Sequence, residues 1–134
     1  MSRSGRFALL DVGELKEHEE VEAAAVESLV REIEKDGVVR EPIWVAEGSH
    51  VILNGHHRFA ALLLLGVARV PVWLVDYEDA SIKLERWKPG PQIHKEEVVR
   101  RGREGKPFPP KTTRHSFTSP PPHRPTPLSE LRDA

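Results

Sequence analysis

Apolar residues recur at helical spacing in residues 23–35. These side chains fall three or four positions apart, at Val26, Leu29, Val30 and Ile33, which is the spacing that places them on one face of a helix. Gly37 follows as the left-handed residue that commonly ends a helix. We therefore predict an amphipathic helix that packs against the rest of the protein by one face.

A second helix is predicted from Gly55 to Leu65, with Gly66 as its stop. After Arg58 this segment is apolar almost all round, so we expect the helix to be buried. Residues 95–103 are charged and predict a short helix on the surface.

Short apolar runs bounded by turn residues predict five strands. They cover residues 7–12, 43–46, 50–53, 70–75 and 82–87. A hairpin is the simplest connection between the second and the third strand, because only residues 47–49 separate them. Strands interleaved with helices indicate a mixed α/β fold.

The composition changes at Lys106. Eight of the twelve prolines lie from this residue onward, with few residues that could form a core. We therefore expect a folded domain over residues 1–105, followed by a largely extended, Pro-rich segment over residues 106–134.

Charge and composition exclude several classes of protein. Twenty Lys and Arg stand against 21 Asp and Glu, a formal net charge of −1, so nothing drives the whole chain toward nucleic acid or membrane. Any phosphate binding must be local. The absence of cysteine excludes disulfides, thiolate metal sites and cysteine nucleophiles. No signal peptide or run long enough to span a bilayer is visible, so we expect a soluble, cytoplasmic protein. The oligomeric state is not predicted.

The stretch "NGHHR" lies where a polar turn runs into the second predicted helix. The first N–H groups of a helix have no partner within it, so an anion is favoured there. Gly55 allows a ligand to approach the backbone, and His56, His57 and Arg58 can donate to phosphate oxygens. Alternatively, Asn54 caps the helix, one histidine is satisfied in the core and Arg58 makes an ordinary surface ion pair.

The stretch "LKEHEEVE", residues 15–22, is an acidic loop that contains His18. A carboxylate in this loop could act as a general base or hold Mg²⁺. Alternatively, the charges form the solvated start of a helix, where glutamates are favourable for electrostatic reasons alone.

The stretch "PPKTTRH", residues 109–115, sets two hydroxyls among basic side chains within the Pro-rich segment. Charge and hydrogen bonds from this motif could clamp a phosphate; its members are Lys111, Thr112, Thr113, Arg114 and His115. The alternative is a short basic patch on a flexible tail.

Together and in this order, the three stretches resemble the archaeal free serine kinases of the ParB/sulfiredoxin-like fold. "LKEHEE" is similar to the family's loop with a His-Glu pair, "LNGHHRFAALLLLGVARVPVWLVDY" to its helix start and following strand, and "PKTTRH" to its C-terminal phosphate-binding motif. Trp87 and Pro89 also lie where members of this family have a Trp followed by a Pro. The resemblance covers residues 7–89 and 107–115, and it implies a small mixed sheet with packed helices.

The resemblance also implies a reaction and roles for residues. Glu19 would be the general base that takes the proton from the hydroxyl of free L-serine, and the product would be O-phospho-L-serine. His18 and His57 would assist it, and Asn54 and Trp87 would contact the substrate. The remaining phosphate-binding residues would be those of the turn and of the C-terminal motif, namely Gly55, His56, His57, Arg58, Lys111, Thr112, Thr113, Arg114 and His115. Mg²⁺ is implied as the partner of ADP or ATP, without direct protein ligands.

Two alternatives stay open. The first is a ParB-like nucleotide-binding protein that works as a DNA-associated switch or nuclease, for which the basic stretch 98–106 could contact phosphates. The second is a member of the fold that only binds a phosphorylated metabolite. Asn54 stands where the family's turn has Asp, which supports this second alternative.

Overall fold

A computed structural model describes residues 5–118 and 122–132. The helices are α1 (Ala23–Asp36), α2 (His56–Leu64), α3 (Lys95–Glu104) and α4 (Leu128–Arg132), and a 3-10 turn covers Val12–Glu14. The strands are β1 (Arg6–Asp11), β2 (Val38–Val39), β3 (Ile43–Ala46), β4 (Ile52–Asn54), β5 (Arg69–Val75), β6 (Ile82–Arg86), β7 (Thr113–Phe117) and β8 (Thr126–Pro127). Within these ranges no helix is both long and apolar enough to cross a membrane.

The main sheet has four strands in the order β1-β5-β3-β4. β5 lies inside it, antiparallel to β1 and parallel to β3, which explains its nearly continuous apolar sequence. The predicted hairpin is present, since β3 and β4 pair antiparallel with an irregularity at Trp44/Val45. The parallel pair needs a crossover, and β4 with α2 provides it.

Two clusters of buried side chains flank this sheet. The first joins the sheet to α1 and α2 and includes Val26, Phe59 and Leu62. The second lies under β6, β7 and α3 and includes Tyr77 and Phe108. The acidic loop, residues 15–22, runs beside the residue that precedes β4, where Lys16 forms a bridge with Val51, and its Leu15 belongs to the first cluster.

Both predicted helix ends at glycines are observed, but α2 is not buried all round. Gly37 ends α1 at φ 72°, with its N–H donating to Ile33 O at 2.8 Å. At the end of α2, however, Leu63 is 43% exposed and Leu64 is 69% exposed. The expectation of a fully buried helix is wrong for this last turn, because α1 and the sheet cover only one side of the helix.

The predicted surface helix is also partly buried. α3 turns Val98 and Gly102 inward, and a Cβ on Gly102 would lie 2.8 Å from the Val51 side chain. The glycine therefore allows α3 to pack closely against the residue that precedes β4.

The expectation of an extended segment with little core after Lys106 is wrong for its described residues. β7 pairs antiparallel with β6, and β8 pairs antiparallel with β2. The segment's few large apolar residues are buried among other elements, namely Phe108, Phe117, Leu128 and Leu131. Single apolar residues spaced far apart leave no periodic signal, which is why the sequence pattern suggested a tail. Residues 119–121 and 133–134 lie outside the described residues, and the boundary at residue 105 stays a prediction.

Candidate active site

The three motifs meet at one cavity of about 270 Å³. Its lining includes ten residues singled out in the sequence and one that was not, Leu53. The full lining is Glu19, Leu53, Asn54, Gly55, His56, His57, Trp87, Lys111, Thr113, Arg114 and His115. A larger groove of about 1010 Å³ lies between the β3–β4 turn and α3, and no predicted site residue lines it.

The turn before α2 is built on Gly55. This residue is the N-cap of α2 at φ 105°, and a Cβ there would lie 3.2 Å from both Ile43 and the Arg58 guanidinium. No side chain in the described part of the protein caps this helix, so the alternative in which Asn54 is the cap is not observed. The first N–H groups of α2 therefore lie in the wall of the cavity, where they favour an anion.

Both histidines of this turn hold the acidic loop. The N–H of His18 donates to Nε2 of His56 at 3.2 Å, and the N–H of Glu22 donates to Nε2 of His57 at 3.0 Å. Since each Nε2 accepts a hydrogen bond, the neutral rings carry their proton on Nδ1. The histidine pair thus joins the start of α2 to the loop that carries Glu19.

Glu19 is bound by the main chain of the C-terminal motif. Its Oε1 accepts hydrogen bonds from the Thr113 N–H at 2.8 Å and the Thr113 hydroxyl at 2.6 Å, and its Oε2 accepts one from the Lys111 N–H at 2.9 Å. Lys111 has φ 58°, a left-handed conformation that costs about 1 kcal/mol for a residue other than glycine. Phe108 supports this arrangement, because its N–H donates to His18 O at 2.7 Å.

A cluster of buried histidines lies under the cavity. His18 is fully buried and its ring centroid is 4.5 Å from that of His56 and 5.7 Å from that of His115. Burial lowers the pKa of His18 to about 4 and the pKa of His115 to about 3. The pKa of His56 is also lowered well below its usual range, by burial and then by the other two rings. The cluster is therefore uncharged at neutral pH.

Tyr77 belongs to this cluster, although its sequence context gave no sign of it. Its hydroxyl lies 2.7 Å from Nε2 of His115, and burial raises the pKa of the Tyr77 hydroxyl. The contact joins β7 to the segment just after β5, because Tyr77 lies two residues beyond the end of that strand. The sequence alone could not identify Tyr77 as part of the site, because it does not show that these distant segments are neighbours.

Two cations lie at the rim of the cavity in weak surface pairs. Nζ of Lys111 is 3.7 Å from Glu22, and Arg114 is 3.9 Å from Glu85, with all four side chains about half exposed or more. The Arg114 guanidinium also lies 5.1 Å from the centre of the Trp87 ring. Exposed pairs of this kind contribute little to stability, so both cations can turn to an anion at low cost.

Three predicted site residues do not line the cavity. His18 lies beneath it, in the buried cluster. The Thr112 hydroxyl donates to Pro109 O at 2.7 Å, which directs it into the motif's own turn. Arg58 is half-buried behind Gly55, and burial lowers the pKa of its guanidinium while Glu41 and Glu32 oppose this.

Comparison with known proteins places these features in context. The sequence pattern of the family "ParB N-terminal domain" matches residues 6–84. An ATP-dependent L-serine kinase of Staphylothermus marinus is 38% identical over 85 residues, which are 60% of this chain and 34% of that protein. The ADP-dependent L-serine kinase SerK of Thermococcus kodakarensis is 28% identical over 99 residues, 71% of this chain and 41% of that protein. The chain thus spans about a third to two fifths of the length of these relatives.

A solved structure has the same fold. A mutant free serine kinase in complex with AMP superposes with a TM-score of 0.87 at 17% identity, over 97% of this chain and 95% of that chain. The mixed α/β fold expected from the sequence is therefore confirmed.

Proposed function

The chain belongs to the ParB N-terminal domain family, and from this premise we propose that it phosphorylates free L-serine to O-phospho-L-serine with ATP or ADP. One observation carries the proposal. The carboxylate of Glu19 is fixed in the wall of a cavity whose other walls supply a helix start and two cations. The serine kinases among its relatives support this choice over other phosphate chemistry.

In this proposal Glu19 is the general base. Phosphoryl transfer needs mainly positioning and neutralisation of charge, with a carboxylate to accept the proton of the attacking hydroxyl. Glu19 is 9% exposed and lines the cavity, so it can reach a bound hydroxyl without being surrounded by water.

The phosphates lie at the start of α2. There the N–H groups of the first turn and the Nδ1–H groups of His56 and His57 donate to the phosphate oxygens. Lys111 and Arg114 leave their surface partners and close over the same oxygens from the opposite side, which stabilises charge on the transferred group. Arg58 and Thr112 support the two turns from behind and make no direct contact with the phosphates.

The serine lies at the open side of the cavity. Asn54 ends β4 at the exposed edge of the site, and Trp87 is 57% exposed beside Arg114. An amide and an indole ring can contact the polar and apolar faces of a small amino acid. We assign both to the substrate rather than to the nucleotide.

Mg²⁺ is proposed as the partner of the nucleotide. Among residues 5–118 and 122–132 no group of three or more His, Asp or Glu side chains is arranged to hold a metal ion, and phosphate oxygens are ligands that Mg²⁺ prefers. When bound, the ion supplies charge neutralisation between the phosphates.

The contacts of the arginines in the basic stretch do not support the DNA-associated alternative. Arg101, within the basic stretch 98–106, lies 3.9 Å from the Phe108 ring centre and 3.6 Å from Glu97. Arg100 also lies near Glu97, at 4.0 Å. These two arginines therefore already interact with side chains of the protein itself.

The proposal is tested with Glu19→Gln, and Glu20→Gln is the matched control because Glu20 is the exposed neighbour. Glu19→Gln should lower phosphoserine formation at least a hundredfold, which is the range for loss of a general base, with nucleotide affinity changed less than threefold. Unfolding curves must accompany the assay, since the new amide can place an N–H against that of Lys111. A folded Glu19→Gln variant with wild-type turnover would refute the assignment.

A further inference from the structure

Thr113 contacts two titratable side chains of the site at once. Its hydroxyl lies 2.6 Å from Oε1 of Glu19 and 2.9 Å from Nε2 of His18, and its N–H donates to the same Oε1 at 2.8 Å. Thr113 is 7% exposed and His18 is fully buried. Both donors of Thr113 are therefore turned toward Glu19 rather than toward a phosphate in the cavity.

The protons of this cluster can be assigned by counting donors and acceptors. A hydroxyl has one proton, and a contact of 2.6 Å to an ionised carboxylate requires that Thr113 donates it to Glu19. The oxygen of Thr113 then accepts from Nε2–H of His18. Hydrogen bonds thus run from Nε2 of His18 through Thr113 to Glu19, while Nδ1 of His18 is buried and has no hydrogen-bond partner among the described residues.

The two carboxylate oxygens of Glu19 differ in the hydrogen bonds that they accept. Oε1 accepts both donors of Thr113, whereas Oε2 accepts the Lys111 N–H and, among the described residues, no other donor. Each carboxylate oxygen has two acceptor positions. One position of Oε2 is therefore available for a proton, and Oε1 keeps both of its hydrogen bonds when that proton arrives.

We propose that Thr113 and His18 are positioning residues which hold the Oε2 edge of Glu19 toward the acceptor hydroxyl; this inference rests on the proposed function. In the transfer, the serine O–H bond breaks and its oxygen bonds to the terminal phosphorus. The bond from that phosphorus to the bridging oxygen of the nucleotide breaks, and that oxygen keeps the electron pair. The serine proton moves to Oε2, and the protons on Thr113 and His18 stay in place.

The surroundings of His18 fit this role. The titratable groups that face it are His56 from α2, His115 from β7 and, through Thr113, Glu19 from its own loop, and Phe108 packs edge-on against its ring. Burial lowers the pKa of His18 to about 4, so the ring is neutral at neutral pH. A neutral ring orients the hydroxyl without adding a charge that competes for the phosphates.

The test compares Thr113→Val with Thr113→Ser. Thr118→Val is the matched control, because Thr118 is an exposed residue just after the same strand, and its hydroxyl donates to Ser81 O. Thr113→Val should lower kcat ten- to a hundredfold with the nucleotide KM changed less than threefold, and Thr113→Ser should restore kcat to within threefold of wild type.

A second variant keeps the test decisive if Thr113→Val does not fold. Thr113→Ala removes the hydroxyl and His18→Leu removes the ring nitrogens, and the double variant Thr113→Ala/His18→Leu tests whether the two side chains act as a unit. If the two side chains act as one hydrogen-bonded unit, the double variant should lower kcat no more than the more damaging single substitution does. Additive losses in kcat would overturn the inference.

The remaining outcomes separate this inference from the proposed function. Unchanged kcat in folded Thr113→Val, or a raised nucleotide KM at constant kcat, would make Thr113 a structural or phosphate-binding residue. That result would refute the positioning role of Thr113 and His18 and leave the proposed function intact. A wild-type protein that forms no phosphoserine would refute the proposed function, and the positioning role would fail with it.

Discussion

Acid should destabilise this protein well before its carboxylates are neutralised, because it buries three neutral histidines. In the unfolded chain a histidine takes up a proton below its ordinary pKa of 6.5, whereas in the folded protein the pKa of His18 is about 4 and that of His115 is about 3. Burial lowers the pKa of His56 in the same direction. Their contribution to stability is thus largest well above pH 6.5 and is lost as the pH falls through 6.5 toward the pKa values of the folded protein.

The size of the effect follows from the number of protons involved. Between pH 7 and pH 5 each of these histidines goes from about one quarter to nearly full protonation in the unfolded chain and stays almost unprotonated in the folded protein, and one pH unit is worth about 1.4 kcal/mol per proton. His18 and His115 should each cost about 2 kcal/mol over this interval, or about 4 kcal/mol together. This is a large share of the stability of a small domain.

The measurement is urea unfolding at pH 7 and pH 5 at constant ionic strength, for the wild type and two variants. His115→Gln keeps a polar partner for Tyr77. In this variant the free energy of unfolding should differ between pH 7 and pH 5 by about 2 kcal/mol less than in the wild type. His94→Gln is the control, because His94 is exposed, and it should leave the difference unchanged. Wild-type stability that differs by less than about 1 kcal/mol between the two pH values would refute the reasoning.

Three further substitutions test the packing, each by the free energy of unfolding in urea. Gly55→Ala should destabilise by about 1–3 kcal/mol, because φ is 105° and the new Cβ would meet Ile43 at 3.2 Å; an unchanged midpoint would show that the turn can relax. Leu62→Ala removes a fully buried side chain and should cost about 2–5 kcal/mol, so a loss below about 1 kcal/mol would contradict its place in the core. Leu64→Gln, at a position that is 69% exposed, should stay within about 0.5 kcal/mol of wild type, and a larger loss would mean that this face is covered.

The sequence predicted the elements whose signals are local. The period of apolar residues and Gly37 gave α1 to within one residue of its end, and the glycine of the turn gave the start of α2. Short apolar runs gave β3 and β5 because turn residues bound them. These features depend on neighbours in the chain, which is the only context that a single sequence contains.

Contacts between distant segments could not be read in the same way. The bond between Tyr77 and His115 joins residues 38 positions apart, and those between Glu19 and Thr113 join residues 94 apart. The three motifs contain most of the residues that line the cavity. They do not show which atom of each residue faces the cavity. Arg58 illustrates this point, since its position beside the turn suggested a phosphate ligand while its side chain lies behind Gly55.

The measurement that tests the central claim most directly is incubation of the pure protein with L-serine and Mg²⁺, separately with ATP, ADP and CTP, followed by ³¹P NMR. We predict O-phospho-L-serine with ATP or ADP, in amounts that match the ADP or AMP formed. A protein that binds these nucleotides and forms no phosphoserine with any of them would contradict the account. The cavity would then be a phosphate-binding site without this reaction, and DNA-dependent CTP turnover would be the next activity to measure.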